Sequence, residues 1–200
     1  LNTNTNKIIE EHVRVEDGHA MVHGDEVIQG VPGTGSRIDM YFEDPAGSKT
    51  GKLFPTGQKK EVFDVPEYGP AEVTVLDCSN PMVFIKASDL GIKGSELTEL
   101  NQNKDVMEHI ERIRGMAAVK CGFVENWEDA RTKSTSAPKV SIVSAPQDYI
   151  NMDGNEVKAD TMDLCCRAIS VGALHKAYPM TVAVGTGAAA RISGTIVNEI

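Results

Sequence analysis

The sequence predicts a mixed fold of strands and helices, on three observations. Short stretches of apolar and polar alternation occupy the first quarter of the chain. Two apolar runs in the middle, residues 73–76 and 82–85, flank a polar turn. One long stretch, residues 103–122, carries its apolar side chains at helical spacing.

Residues 7–29 read as β-structure. Val13 and Val15 alternate with charged residues, Glu16-Asp17-Gly18 signals a turn, and Ala20 and Val22 resume the alternation. Residues 37–44, RIDMYFED, form another alternating strand with Ile38, Met40 and Phe42 on one face. Residues 45–70 are rich in Gly, Pro, Lys and Thr and read as loop, with a domain boundary near Tyr68-Gly69-Pro70. In EVTVLDCSNPMVFIKASDLG, residues 72–91, the apolar runs flank Asp77-Cys78-Ser79-Asn80-Pro81, giving strand, tight turn, strand. In residues 103–122, Val106, Ile110, Ile113 and Ala117 form one helical stripe, Asn103 caps it and Gly122 stops it. Residues 138–146 read as a buried strand. Residues 159–178 read as a second helix opened by Asp160 or Thr161, and residues 181–195 as a small-residue helix or a glycine turn. There is no convincing internal repeat.

Composition narrows the function classes. The 200 residues are 40% hydrophobic and 24% charged, enough for a sizeable core. The net charge of −9, from 29 acids and 20 bases, argues against a nucleic-acid surface, and no Lys/Arg cluster stands out to track phosphates. No apolar run reaches the length of a membrane span, and the opening LNTNTNKIIEEHV has neither the basic segment nor the apolar core of a signal peptide. It also lacks an initiating Met, which raises the expectation of a fragment or a processed chain. Cys78, Cys121, Cys165 and Cys166 form no C-x-x-C pair, so they read as reduced thiols of a cytoplasmic protein. No metal site is expected.

Several motifs compete for attention. GSKTGKLFPTG, residues 47–57, looks like a phosphate-binding loop, but it departs from G-x-x-x-x-G-K-[ST]. Ala46 stands at the first glycine, Leu53 at the magnesium-binding hydroxyl, and Phe54-Pro55 opposes a helix start. Gly185-Thr186-Gly187-x-x-Ala190 resembles a dinucleotide loop, yet it lies at the wrong end of the chain for the usual order. His12, His19 and His23 have no nearby Cys or paired carboxylate and read as solvent-facing; His109 reads as a surface residue and His175 as partly buried. No G-x-S-x-G occurs. Trp127 reads as a packing residue in a helical turn.

Five blocks taken in order carry a resemblance: NTNTNKII, GVPGTGSRIDMYFEDPAGSKTGKLFPTG, VTVLDCSNPMVFIKASDLGIKGSEL, PKVSIVSAPQDY and CCRAISVGALHKAYPMTVAVGTGAAARISGTIVNEI. Together they resemble the PrpF-like aconitate isomerases, relatives of diaminopimelate epimerase. The resemblance implies an α+β fold of two similar domains, each a curled sheet around a central helix, with the substrate in the cleft between them. Residues 1–70 are then the remainder of a truncated first domain and residues 71–200 the second, incomplete at its C-terminus. The implied activity is a cofactor-independent 1,3-allylic proton shift in an unsaturated di- or tricarboxylic acid such as methylaconitate. The alternative is a non-catalytic module of the same fold that binds a small carboxylate. The implied partner is a small anionic carboxylate, with neither nucleic acid nor membrane, and a homodimer stays open.

The resemblance also implies site residues. The family's catalytic Cys is expected upstream of Leu1, and no catalytic residue is named within the chain. Ser79 and Asn80 lie in the polar turn, where the epimerase relatives place an Asn-Pro turn against the substrate. Thr181 and Ala183 open a small-residue segment whose amides would receive an anion. Ser170 and His175 match Ser-x-Gly-x-x-His and flank the pocket. Lys49 and Lys52 offer positive charge near a polyanion. Val182 stands where the family has Gly, and is expected to narrow the approach to the amides.

Overall fold

The computed structural model describes all residues, Leu1–Ile200. The strands are β1 (Ile9–Val13), β2 (Val15–Glu16), β3 (His19–Ala20), β4 (Ile38–Phe42), β5 (Glu61–Val65), β6 (Gly69–Cys78), β7 (Asn80–Lys86), β8 (Lys139–Ser144), β9 (Tyr149–Ile150), β10 (Glu156–Val157), β11 (Cys165–Ser170) and β12 (Ala173–Leu174). The helices are α1 (Lys104–Lys120), α2 (Ala130–Lys133), α3 (Met180–Ala190) and α4 (Ile196–Glu199). Six strands make one mixed sheet in the order β12-β11-β8-β7-β6-β5. β7 and β8 are parallel and joined through α1; every other pair is antiparallel. The class is α+β.

Alternation along the strands divides the core into two layers. Val73, Val75, Val83, Ile85, Val140 and Ile142 face α1 and meet its stripe of Val106, Ile110, Ile113 and Ala117. Leu76, Cys78, Met82, Phe84, Val143 and Ala168 face the other way and pack with Val182, Ala189 and Ile196 of α3 and α4. The Asn103 side chain caps α1 by accepting the Val106 amide, as its position before the stripe predicts. No helix is long and apolar enough to cross a membrane.

Three expectations are corrected. Residues 159–178 are not a helix. They contain β11 and β12, joined by Val171-Gly172, both at positive φ. His109 is not a surface residue. It is 9% exposed and stacked on Tyr68 at 4.2 Å between ring centroids. The loop expected from residue 45 to 70 contains β5, which forms a hairpin with β6, so a division at residue 70 would cut one sheet. The sheet begins at Glu61. Before it, β1 pairs β4 and β2 pairs β3 in two small ribbons, and no residue before Ser48 is buried.

Candidate active site

β6 passes into β7 through a single residue. Cys78 lies opposite Asn80, and Ser79 between them takes φ +62°. For a residue with a Cβ that backbone is uncommon and is found where the surroundings enforce it. Here the Ser79 amide donates to the Pro45 carbonyl at 2.7 Å, and Ser79 Oγ donates to the Thr181 carbonyl at 2.7 Å. The strand turn is thereby tied to the first turn of α3. Ser79 and Thr181 also line one cavity of about 190 Å³, closed on its other sides by Lys7, Met40, Phe42 and Ser48 among others.

The sheet register brings further residues to this end. Met82 is in register with Lys139, and Ile169 with Val140, so Ser170 stands beside Lys139. Directly paired residues share a face of a sheet. Asn80, Lys139 and Ser170 therefore lie at one end of the sheet and on the α3 face. Lys139 Nζ donates to Ser170 Oγ at 2.7 Å and makes no ion pair. Burial pushes the Lys139 pKa down, and the positive charge of Lys49 pushes it down further. A half-buried ammonium whose hydrogen-bond partner is a neutral hydroxyl carries a charge that no carboxylate of the chain neutralises.

α3 opens beside this cluster with Pro179 at its N-cap and no side-chain cap. The amides of Val182 and Ala183 are both directed at the Pro179 carbonyl, at 2.9 Å each. The two amides before them have no partner within a helix, by the geometry of helix starts. Ala183 is exposed on this first turn. Val182 is fully buried in the layer beneath α3, so its side chain points into the core and does not narrow the approach to those amides.

Of the six residues expected at the site, Ser79, Asn80 and Thr181 are drawn together, Ser170 stands two strands away at the same end of the sheet, and Ala183 lies in the first turn of the same helix as Thr181. His175 is not with them. It is exposed, and lines a different cavity of about 360 Å³ with Arg167, Tyr149 and Tyr178. Sequence reasoning missed Lys139 and Asp77. Lys139 precedes an apolar run, as a surface lysine does, and only the register shows what stands beside it. Asp77 reads as part of a polar turn, yet it lies within β6, one residue before its end, and is fully buried.

The model of the family described as PrpF protein matches residues 1–200. The chain belongs to the PrpF family. It is 40% identical to 3-methylitaconate isomerase of Eubacterium barkeri over 100% of this chain and 53% of that protein. It is 35% identical to 2-methyl-aconitate isomerase of Shewanella oneidensis (strain ATCC 700550 / JCM 31522 / CIP 106686 / LMG 19005 / NCIMB 14063 / MR-1), over 98% of this chain and 50% of the relative. A crystal structure of methylitaconate-delta-isomerase superposes with a TM-score of 0.88 at 40% identity, covering 99% of this chain and 51% of the other. The chain thus spans about half the length of the PrpF relatives it matches.

Proposed function

We propose that this chain supplies the carboxylate-binding half of an isomerase that moves a double bond in an unsaturated di- or tricarboxylic acid by a 1,3-proton shift, without a cofactor. The observation that carries the reading is the convergence of Asn80, Lys139, Ser170 and the open start of α3 on one end and one face of the sheet, with no counter-ion for Lys139. The names of the PrpF relatives, which act on methylitaconate and methylaconitate, support it.

The chemistry explains why such an arrangement is useful. Removing an allylic proton leaves a carbanion whose charge spreads onto a conjugated carboxylate. Preorganised donors around that carboxylate stabilise the charge as it develops. Asn80 offers amide N–H groups, Ser170 a hydroxyl, Lys139 an ammonium and α3 the free amides of its first turn. A protein of net charge −9 needs such local donors to hold an anion at all.

The group that moves the proton is placed by this reading elsewhere in the whole protein. Burial pushes the Cys78 thiol up, and pushes Cys121 and Cys166 up to about 12. None of the three is poised as a thiolate at neutral pH. In the same reading, the six-stranded sheet with α3 belongs to the second of two similar diaminopimelate epimerase-like domains. The ribbons before Glu61 belong to the truncated first domain, the acid lies between the two, and the enzyme works in the cytoplasm.

Proton NMR in D2O tests the proposal with aconitate, methylaconitate and methylitaconate. The whole protein is expected to wash out the allylic proton signal, and the 200-residue chain to bind the acids without doing so. Binding without exchange in the whole protein would leave a non-catalytic carboxylate-binding module. Binding by neither would contradict both readings.

A further inference from the structure

The outer edge of β11 is only partly covered. β12 pairs with Ile169 and Ser170, and residues 165–167 have no strand partner on that side. Beyond this open edge lies the cavity of about 360 Å³. Its walls are mostly apolar, with Leu97, Val157, Met162 and Leu164 among them. Residues 28–30 form part of the wall and are held in place. Tyr149 Oη donates to Gln29 Oε1 at 3.0 Å, and Gly30 passes so near that a Cβ there would run into the Lys176 carbonyl oxygen.

The charges on this wall have one sign. Arg167 and Lys176 line the cavity, and no Asp or Glu does. Lys176 is exposed, whereas Arg167 is half-buried. Arg167 Nε donates to the Glu96 carbonyl at 2.7 Å, Nη1 to the Cys166 carbonyl at 2.8 Å and Nη2 to the Ser95 carbonyl at 2.9 Å. Its guanidinium carbon stands 4.8 Å from the centre of the Tyr149 ring. A guanidinium has five N–H groups. Of the two left over, the one on Nη1 has only Cys165 Sγ, at 3.9 Å, and the one on Nη2 has no acceptor. The three carbonyls fix the group without cancelling its charge. Two acids of the adjoining loops are already engaged. The Glu96 carboxylate accepts from the amides of Lys93 and Gly94, and that of Asp148 from Lys158 Nζ and the Ala159 amide.

A mostly apolar cavity of this size with a fixed charged donor is the common form of a small-molecule site. A partly desolvated cation that no acid of the chain neutralises favours an anion, and the planar fork of Arg favours a carboxylate. The apolar walls favour a hydrocarbon body. The Lys139 end of the sheet is a different place. Arg167 is in register with Ile142, which faces α1, while Lys139 lies on the α3 face. We infer that this cavity binds a second class of ligand, a monocarboxylate with an apolar body, roughly ten non-hydrogen atoms in all, its carboxylate on Arg167 and its body against Met162 and Leu164. The site needs nothing from the Lys139 end, and either can stand without the other.

The test titrates the chain with octanoate, with octanamide as its uncharged match, and follows the arginine Nε, lysine Nζ and methionine methyl signals by NMR. Octanoate is expected to move the Arg167 Nε and the Met152 and Met162 methyl signals and to leave Lys139 in place. Octanamide is expected to bind about tenfold more weakly, or worse, because it lacks the charged partner of the guanidinium. In Arg167→Met the affinity for octanoate is expected to fall to that for octanamide. If Arg167→Met does not fold, since Arg167 also ties Ser95 and Glu96 to β11, Met162→Trp fills the cavity, keeps Arg167 and is expected to abolish the octanoate shift at Met152. Equal binding of octanoate and octanamide to the unaltered chain would overturn the carboxylate assignment. Octanoate binding that survives Met162→Trp, shifts at Lys139 in place of Arg167, or no shift at all would overturn the site.

Discussion

Lys139 and Asn80 stand on neighbouring strands of one sheet, and each is expected to bear directly on binding. Replacing Lys139 with Met keeps the length of the side chain and removes a charged donor. Such donors contribute about 1.5–3 kcal/mol, so affinity for aconitate should fall about tenfold to a hundredfold by calorimetry. Unaltered affinity would remove Lys139 from the site. A second residue makes a prediction about pH. His109 is stacked on Tyr68 with its Nε2 buried and without a partner. Burial lowers its pKa, and Asp105 opposes this in part. The unfolded imidazole titrates near about 6.5, and the folded one lies below it. As pH falls through that value the unfolded state takes up the proton first, so stability is present above it and is lost on acidification. Urea denaturation at about pH 7.5 and about pH 5.5 should show a loss that His109→Phe reduces while keeping the ring on Tyr68. An equal loss in the variant would mean that other groups carry it.

At the level of elements, legibility depended on how much of the pattern was local. α1 was readable because its stripe, its Asn103 cap and its length all agree. β6 and β7 were readable because two apolar runs bracket a turn, although the turn proved to be Ser79 alone and Asp77 proved to be buried strand. β11 and β12 were misread because Cys, Ala and Leu fill a helix as readily as a strand. Val171-Gly172 was the available signal: the turn there puts both residues at positive φ. Val171 takes φ +52° and is 67% exposed, so its side chain gains little packing to offset the strain. Left-handed backbone costs a residue with a Cβ about 1–2 kcal/mol, and Gly loses part of that in entropy. Val171→Gly should therefore stabilise the chain by about 0.5–1 kcal/mol in denaturation; destabilisation would show that the valine packs more than its exposure suggests. Gly115 in α1 should behave in the opposite way. A Cβ there would come within 2.5 Å of the Trp127 carbonyl oxygen. Gly115→Ala should cost about 1–3 kcal/mol through overpacking, despite the better helix propensity of Ala.

Across the whole molecule, the sequence pattern showed which residues are apolar, and the sheet register showed which polar residues meet. Ser79, Asn80, Thr181 and Ser170 are scattered over about half the chain, and reach one end of the sheet because β6 and β11 finish there, β7 and β8 start there, and α3 begins beside the Ser79 turn. His175 looked equivalent in sequence and lies on another cavity. The ribbons before Ser48 contribute no buried residue, so their amides should exchange with solvent far faster than those of β6, β7 and β8 in the 200-residue chain. Comparable protection would mean that the ribbons are held by contacts outside this structure. The most direct test of the account is a titration of the labelled chain with aconitate, followed by amide and lysine NMR. The account predicts shifts concentrated at Asn80, Lys139, Ser170 and Thr181. Shifts confined to the cavity of Arg167 and His175, or no shifts at all, would contradict it.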